Sequence, residues 1–449
     1  MTHCLRSGLV TLATSLWIIP GGLFASEPAF VLTQATAVQL AMEQNESLGM
    51  ARSDATTAVN RVRESRADGL PDLSARFDYT RNWLLPSILF NDNAVKIGSD
   101  NEVAGLLRLS QPLYTGGQVS GALQSTRSRV TVAEETERQL RQAIVARVET
   151  ALYDYLLAEE LVRVRSLALH RARANRQQVE ALRQAGRVTR FEWTRADVQV
   201  AAAESDSIET VHNLTLAGLD LKDVVGIELS QEVSVRASFR ETSMLPSIGS
   251  VEEAIQQAMQ RRPERRQVRA LVESNLGDER VARAGTRPRL DLVAVGQMQF
   301  QNDAFTGFSD GDEWRRSWST GLSLQVPLFD GMRSRARVAQ AREARRRILL
   351  QADQLDRTIK HEVQRAWMDV DAAGQRLRAR EGSVGQARLG LEDADARYRT
   401  GAGTQLEVLD AQLTLLQAES EYARARRDQA VAIVALERAV GALGEDAGI

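Results

Sequence analysis

The sequence predicts an α+β membrane protein, a tandem-repeat protomer in which four transmembrane β-strands are joined to long α-helical hairpins. The run from Gly331 to Thr400 contains no proline and sets Ile348, Leu355, Ile359, Val363, Trp367, Val370, Leu377, Val384 and Leu391 on one helical stripe. At 1.5 Å per residue that helix spans roughly 105 Å, several times an ordinary globular helix. Elsewhere, short segments alternate strictly between apolar and polar residues, and the landmarks of the first half recur in the same order in the second.

At the start of the chain, residues 1–25 read as an export signal, with Arg6, an apolar core from Leu9 to Ile19, Pro20-Gly21-Gly22 and a cut after Ala25. The one cysteine, Cys4, lies inside that signal, so the mature chain is expected to carry neither a disulfide nor an N-terminal lipid. No later run is long and apolar enough for a transmembrane helix, which leaves a β-barrel as the route into a membrane. With 43% hydrophobic and 26% charged residues the chain has the composition of an ordered protein, and aromatics at only 5% suit long helices seamed through small residues such as Ala341, Ala352, Ala366, Ala373 and Ala387.

The first repeat, residues 26–249, begins with a helix from Thr33 to about Ala67, ended before Pro71. From Asp72 the chain alternates, with Leu73, Ala75, Phe77 and Tyr79 against Asp72, Ser74, Arg76, Asp78 and Thr80, and a strand over about 72–83 follows. A polar loop leads to a second strand over about 103–112, closed by Pro112-Leu113-Tyr114-Thr115-Gly116-Gly117. The first hairpin, about 117–226, turns at Gly186-Arg187-Val188-Thr189, where glycine ends one helix and threonine caps the next. Residues 227–249 read as a linker or small mixed element.

The second repeat, residues 250–449, carries strands over about 289–301 and 317–327 and a hairpin over about 331–442 that turns at Gly401, Gly403 and Thr404. Pro71-Asp72-Leu73 matches Pro288-Arg289-Leu290, Pro112-Leu113-Tyr114-Thr115-Gly116 matches Pro327-Leu328-Phe329-Asp330-Gly331, and Gly186, Thr189 and Glu192 match Gly401, Thr404 and Glu407. Trp83, Trp314 and Trp318 fall at the loop ends of the strands, the place of an interfacial aromatic girdle. Four strands leave two open edges, which lipid does not tolerate; three copies would supply twelve strands and close both a sheet and a helical tube about one axis.

Several functions are excluded. The net charge of −2 argues against nucleic acid, and the basic clusters at 261–266 and 345–347 read as solvated faces because acidic residues balance them. Gly401-Ala402-Gly403 lacks the later glycine and lysine of a phosphate loop, and His361-Glu362 lacks the second histidine of a zinc protease motif. No enzyme activity, metal or other cofactor is expected.

The motifs Gln111-Pro112-Leu113-Tyr114-Thr115-Gly116-Gly117, Val326-Pro327-Leu328-Phe329-Asp330-Gly331 and Tyr398-Arg399-Thr400-Gly401 through Leu409-Asp410, together with the duplication, resemble the TolC-like outer-membrane efflux proteins over nearly the whole mature chain. The resemblance implies a homotrimeric 12-stranded β-barrel in outer-membrane lipid, continuous with a periplasmic α-helical barrel. Its implied role is the exit duct of a tripartite efflux or type I secretion system, in which the hairpin tips at Gly186, Thr189, Gly401, Gly403 and Thr404 meet a periplasmic adaptor and an inner-membrane pump. It also implies a periplasmic gate at Tyr398, Glu407, Asp410 and Glu192. The family's linking arginine falls at Gly403, a departure that leaves Arg399, Arg190 and Arg195 as neighbouring candidates. An adaptor-like periplasmic coiled coil is the alternative, for which one hairpin and soluble β-domains are expected; a stand-alone pore is another.

Overall fold

The computed structural model describes residues 30–90, 93–239, 249–303 and 314–444; the signal read at 1–25 lies outside the described residues. The first half runs β1 (Phe30–Leu32), α1 (Gln34–Gln44), α2 (Glu46–Ala67), β2 (Asp72–Arg81), β3 (Ser87–Phe90), β4 (Asn93–Lys96), β5 (Asn101–Tyr114), α3 (Gln118–Gln184), α4 (Arg190–Val225) and β6 (Val233–Val235). The second runs α5 (Val251–Arg261), α6 (Pro263–Ala284), β7 (Arg289–Asn302), β8 (Arg315–Gln325), α7 (Arg333–Thr400) and α8 (Gln405–Val440). The duplication extends to helix lengths: 11 residues in α1 and α5, 22 in α2 and α6, 36 in α4 and α8, and 67 and 68 in α3 and α7.

β2, β5, β7 and β8 form one antiparallel sheet in that order, so β2 and β8 are its edges. β5 runs on through Pro112, and the register shifts between Pro112 and Tyr114, a place where a residue without an N–H is tolerated in a ladder. The sheet hands over to the long helices through left-handed turns at Gly116 and Gly117 in one repeat and at Gly331 and Met332 in the other. There Asp330 accepts from Ser334 N at 2.8 Å, while its counterpart Thr115 accepts from Val119 N at 3.4 Å. The Pro-Leu-aromatic-x-Gly motif is thus a strand end, a cap and a left-handed turn in succession.

From there α3 travels about 100 Å to its tip. Near the sheet it packs against α2 and α6, and farther along against α4 and α8; α7 packs against α6 and then α8. α3 and α6 cross at glycines: a Cβ on Gly277 would lie 2.5 Å from both Gly121 O and Ser125 N, and the buried hydroxyls of Ser125 and Ser274 are 3.1 Å apart. Between sheet and tip, α1 and the parallel pair β1–β6 close a core of Leu32, Val148, Leu152, Tyr153, Leu221 and Val225, and α5 closes a second with Ile359, Val363, Ile433, Leu436 and Val440.

Three expectations are corrected. The segment from Thr33 to Ala67 is two helices, because Asn45 leaves helical geometry and its side chain caps α2 through Leu48 N. Arg262 precedes Pro263, which forces it out of the helical region, and it is buried rather than solvated, pairing with Glu264 and Glu362 and donating to Ala439 O. Arg345 is not a free basic residue either: with Arg283 and Arg342 it surrounds the buried Glu279. Gly382, Gly385 and Gly390 of α7 have no heavy atom within 4 Å of a Cβ position among the described residues of the protomer.

Candidate functional site

The register of the sheet separates two media. Leu73, Ala75, Phe77 and Tyr79 stand opposite Leu109, Leu107, Gly105 and Val103; these align with Ala294, Gly296, Met298 and Phe300, and Gly296 in turn with Trp318. The other face aligns Ser74, Asp78 and Thr80 of β2 with Arg108, Ala104 and Glu102 of β5, and Glu102 accepts from Gln299 and Gln301 of β7. One face is therefore almost wholly apolar and the other mostly polar, with Ala104, Leu106, Val293 and Val295 as its apolar exceptions, the arrangement of a wall between lipid and water. The apolar face is open, with Phe77, Leu322 and Leu324 exposed. Ring contact above Gly105 requires its missing side chain, since a Cβ there would meet Met298 at 2.7 Å and Phe77 at 3.1 Å.

At the loop end, Trp83 lies beyond β2 with the Arg81 guanidinium 4.7 Å from its ring, and Trp318 projects from β8; both are exposed. Trp314 precedes β8 and packs its ring 5.3 Å from that of Phe300. At the helix end the sequence reading missed a second aromatic set, Tyr114 and Phe329, exposed at equivalent places in the two repeats. The repetition of an aromatic after Pro-Leu was the signal for it.

The tips lie at the far end of the long helices. At the first, Gly186 is left-handed, Arg187 N reaches Leu182 O, and Glu192 Oε2 accepts from Thr189 N at 2.7 Å while Thr189 caps Glu192 N. At the second, Gly401 is left-handed and Thr404 caps Glu407 N, but the Glu407 carboxylate turns toward Arg397, at 3.6 Å. Gly403 sits where the turn folds back on α7: a Cβ would lie 3.1 Å from Arg397 Cβ and 3.2 Å from Tyr398 N, so any side chain there would press on α7 and make it shift by a few tenths of an ångström. Within the protomer, among the described residues, the arginine paired with Glu407 is Arg397.

Gln405 joins the two hairpins by donating to Glu192 O at 3.2 Å. Tyr398 packs against Leu391, Ala394, Val408 and Leu415, its hydroxyl buried without a hydrogen-bond partner among the described residues; burial and then the nearby Glu192 charge push its pKa up. Asp410 is exposed and has no ion pair among the described residues. Arg397 and Gln405 were missed in the sequence because neither is marked by a motif. The repeat pairs Gln405 with Arg190, which hides its role, and Arg397 becomes relevant only once the turn brings it over Gly403.

The outer membrane efflux protein family model matches residues 37–226 and 254–442, one match per repeat. The chain belongs to that family. Outer membrane protein OprJ of Pseudomonas aeruginosa is 27% identical over 411 residues, 90% of this chain and 83% of that one. Outer membrane protein TolC of Escherichia coli is 23% identical over 424 residues, 91% and 82% of the two chains. The solved outer-membrane channel OprN superposes with a TM-score of 0.77 at 23% identity, over 91% of this chain and 90% of that one. The protein is an outer-membrane exit duct extending into the periplasm, and its relatives are channel proteins rather than enzymes. TolC-like channels are trimers that work with adaptors and inner-membrane pumps.

Proposed function

We propose that three copies close edge to edge, β8 of one against β2 of the next, into a twelve-stranded barrel with the apolar face toward lipid and the polar face toward a continuous lumen. The observation that carries this is the sheet: two-faced, antiparallel throughout, and open at β2 and β8. Unpaired strand edges in lipid cost several kcal/mol per group, and β8 descends where β2 ascends, so a copy-to-copy junction continues the antiparallel ladder. Two hairpins with strand pairs between them do not suit an adaptor.

On this reading residues 1–25 are removed on export, and 26–249 and 250–449 are the two repeats of each mature subunit. Tyr398, Glu407, Asp410 and Glu192 line the periplasmic gate. Glu192 is committed to capping and Glu407 to Arg397, so Asp410 supplies the uncompensated charge at the entrance. The turns at Gly186, Thr189, Gly401, Gly403 and Thr404 meet the adaptor and pump, which supply the transport work. Trp83, Trp314 and Trp318 belong to the loop-side membrane interface.

The test is a mass measurement on detergent-extracted protein with single-channel recording in planar bilayers. A trimer that forms cation-preferring channels is expected; a monomer, or a species without conductance when the gate is opened by substitution, would overturn the reading.

A further inference from the structure

Along β2 the apolar face ends in a charge. Arg81 follows Leu73, Phe77 and Tyr79 at even spacing, and the register puts Asn101 beside it on the same face. Arg316 does the same on β8: it pairs with Met298, and Trp318, Leu322 and Leu324 follow on its face. A cation facing lipid is costly at mid-membrane and nearly free of cost at the interface. Both arginines lie at the loop end of their strands, where that cost vanishes.

Neither has a carboxylate partner among the described residues. The guanidinium of Arg81 is held over the Trp83 ring at 4.7 Å, and both indoles are exposed, Trp83 at 86% and Trp318 at 82%. Aromatic rings with an unpaired guanidinium beside them, on a face otherwise made for acyl chains, match an amphiphile with an anionic headgroup. By contrast Arg315, the next residue along, points to the polar face, where its pairing partner is Gln299.

We infer that this rim binds phosphate groups of lipid in the outer leaflet, at a site built across each subunit junction from Arg81 and Trp83 of one copy and Arg316 and Trp318 of the next. The inference rests on the closure of β8 against β2 proposed above, which brings the two arginine-tryptophan pairs onto adjacent strands, about 4.8 Å apart. Guanidinium forks donate to phosphate oxygens while acyl chains lie against Leu322, Leu324 and Phe77.

The experiment is native mass spectrometry of the full protein released from lipid nanodiscs, offered either a bis-phosphorylated disaccharide lipid or the same lipid with both phosphates removed. The wild type should retain the phosphorylated form several-fold better. Arg81→Gln and Arg316→Gln should each lower retention about fivefold, Arg→Lys at either position should keep most of it, and Arg315→Gln should leave it unchanged. Equal retention of the two lipids by the wild type, or unchanged retention in both glutamine variants, overturns the inference. Should a variant fail to assemble, the wild-type comparison of the two lipids still decides. The same spectra report subunit number: a trimer without phosphate preference sinks this inference alone, whereas a species that is not a trimer sinks the closure on which it rests.

Discussion

Met332 is the non-glycine residue with positive φ among those described, at 68°, and it occupies the place that Gly117 holds in the first repeat. A side chain there strains the left-handed turn by about 1 kcal/mol. Met332→Gly should therefore leave the fold unchanged and raise stability by roughly 0.5–1 kcal/mol, less the added chain entropy, seen as a higher thermal dissociation temperature. Glu279 gives the opposite case. Burial alone would raise its pKa, but hydrogen bonds from Arg342 and Arg283 and the charges of Arg283 and Arg345 outweigh it, and the net shift is downward from 4.5. A depressed folded-state pKa means that the stabilisation is fully present above about 4.5 and is lost as pH falls through the folded value. Glu279→Gln should cost about 1–2 kcal/mol at neutral pH, and the gap from wild type should close on acidification, measurable by thermal unfolding at a series of pH values.

At the scale of elements, the α3–α6 crossing is set by backbone contact rather than side-chain interdigitation. Gly277→Ala would place a methyl 2.5 Å from Gly121 O, so the helices must separate, with an expected loss of about 3 kcal/mol and failure to recover trimer at elevated temperature. If Gly277→Ala unfolds like wild type, the helices do not approach as described. The long helices, their glycine-threonine turns and the strand pairs were legible because each depends on local chemistry: a proline-free periodic run, a left-handed stop, a period of two. What escaped the sequence depends on partners distant in the chain. β1 and β6 are three-residue strands that pair across some 200 residues, Asn45 is an ordinary polar residue until its side chain caps α2, and Arg262 looks solvated until α7 and α8 surround it. At the tip, the tight packing at Gly403 shows only once the turn brings it against Arg397.

Across the whole molecule, the protomer joins a membrane wall to a tip about 100 Å away with few degrees of freedom between them. The two hairpins are tied by Arg427 to Asp154 at 2.7 Å, Arg171 to Glu419 at 3.5 Å and Gln405 to Glu192 O. Opening of the proposed gate would therefore have to break or slide these contacts between hairpins. Tyr398→Phe should leave subunit stability within about 0.5 kcal/mol of wild type, because the hydroxyl has no hydrogen-bond partner among the described residues of the protomer. If that hydroxyl closes the tip between copies, the same variant raises single-channel conductance; unchanged conductance would remove Tyr398 from the gate. Asp410→Asn should reduce cation preference more than Glu407→Gln, since Glu407 is already matched by Arg397. Reversal potentials across a salt gradient give that order directly.

The stagger of the strands sets one more property. β2 pairs with β5 over Asn101 to Ser110, while β8, followed through β7, lies opposite Ala104 to Tyr114. Strands that slip in this way as one moves around a sheet are inclined to its axis, typically by about 40°. Twelve such strands at a spacing of about 4.8 Å give a backbone diameter near 24 Å, and side chains reaching about 5 Å inward leave a bore of roughly 14 Å. A helix about 10–12 Å across fits that calibre, as does an extended chain or a drug-sized molecule. A folded domain of 100 residues, with a radius of gyration of about 13 Å, does not. Whatever polypeptide leaves by this route has to be threaded through as helix or extended chain, without its tertiary fold, and take up its shape outside the cell.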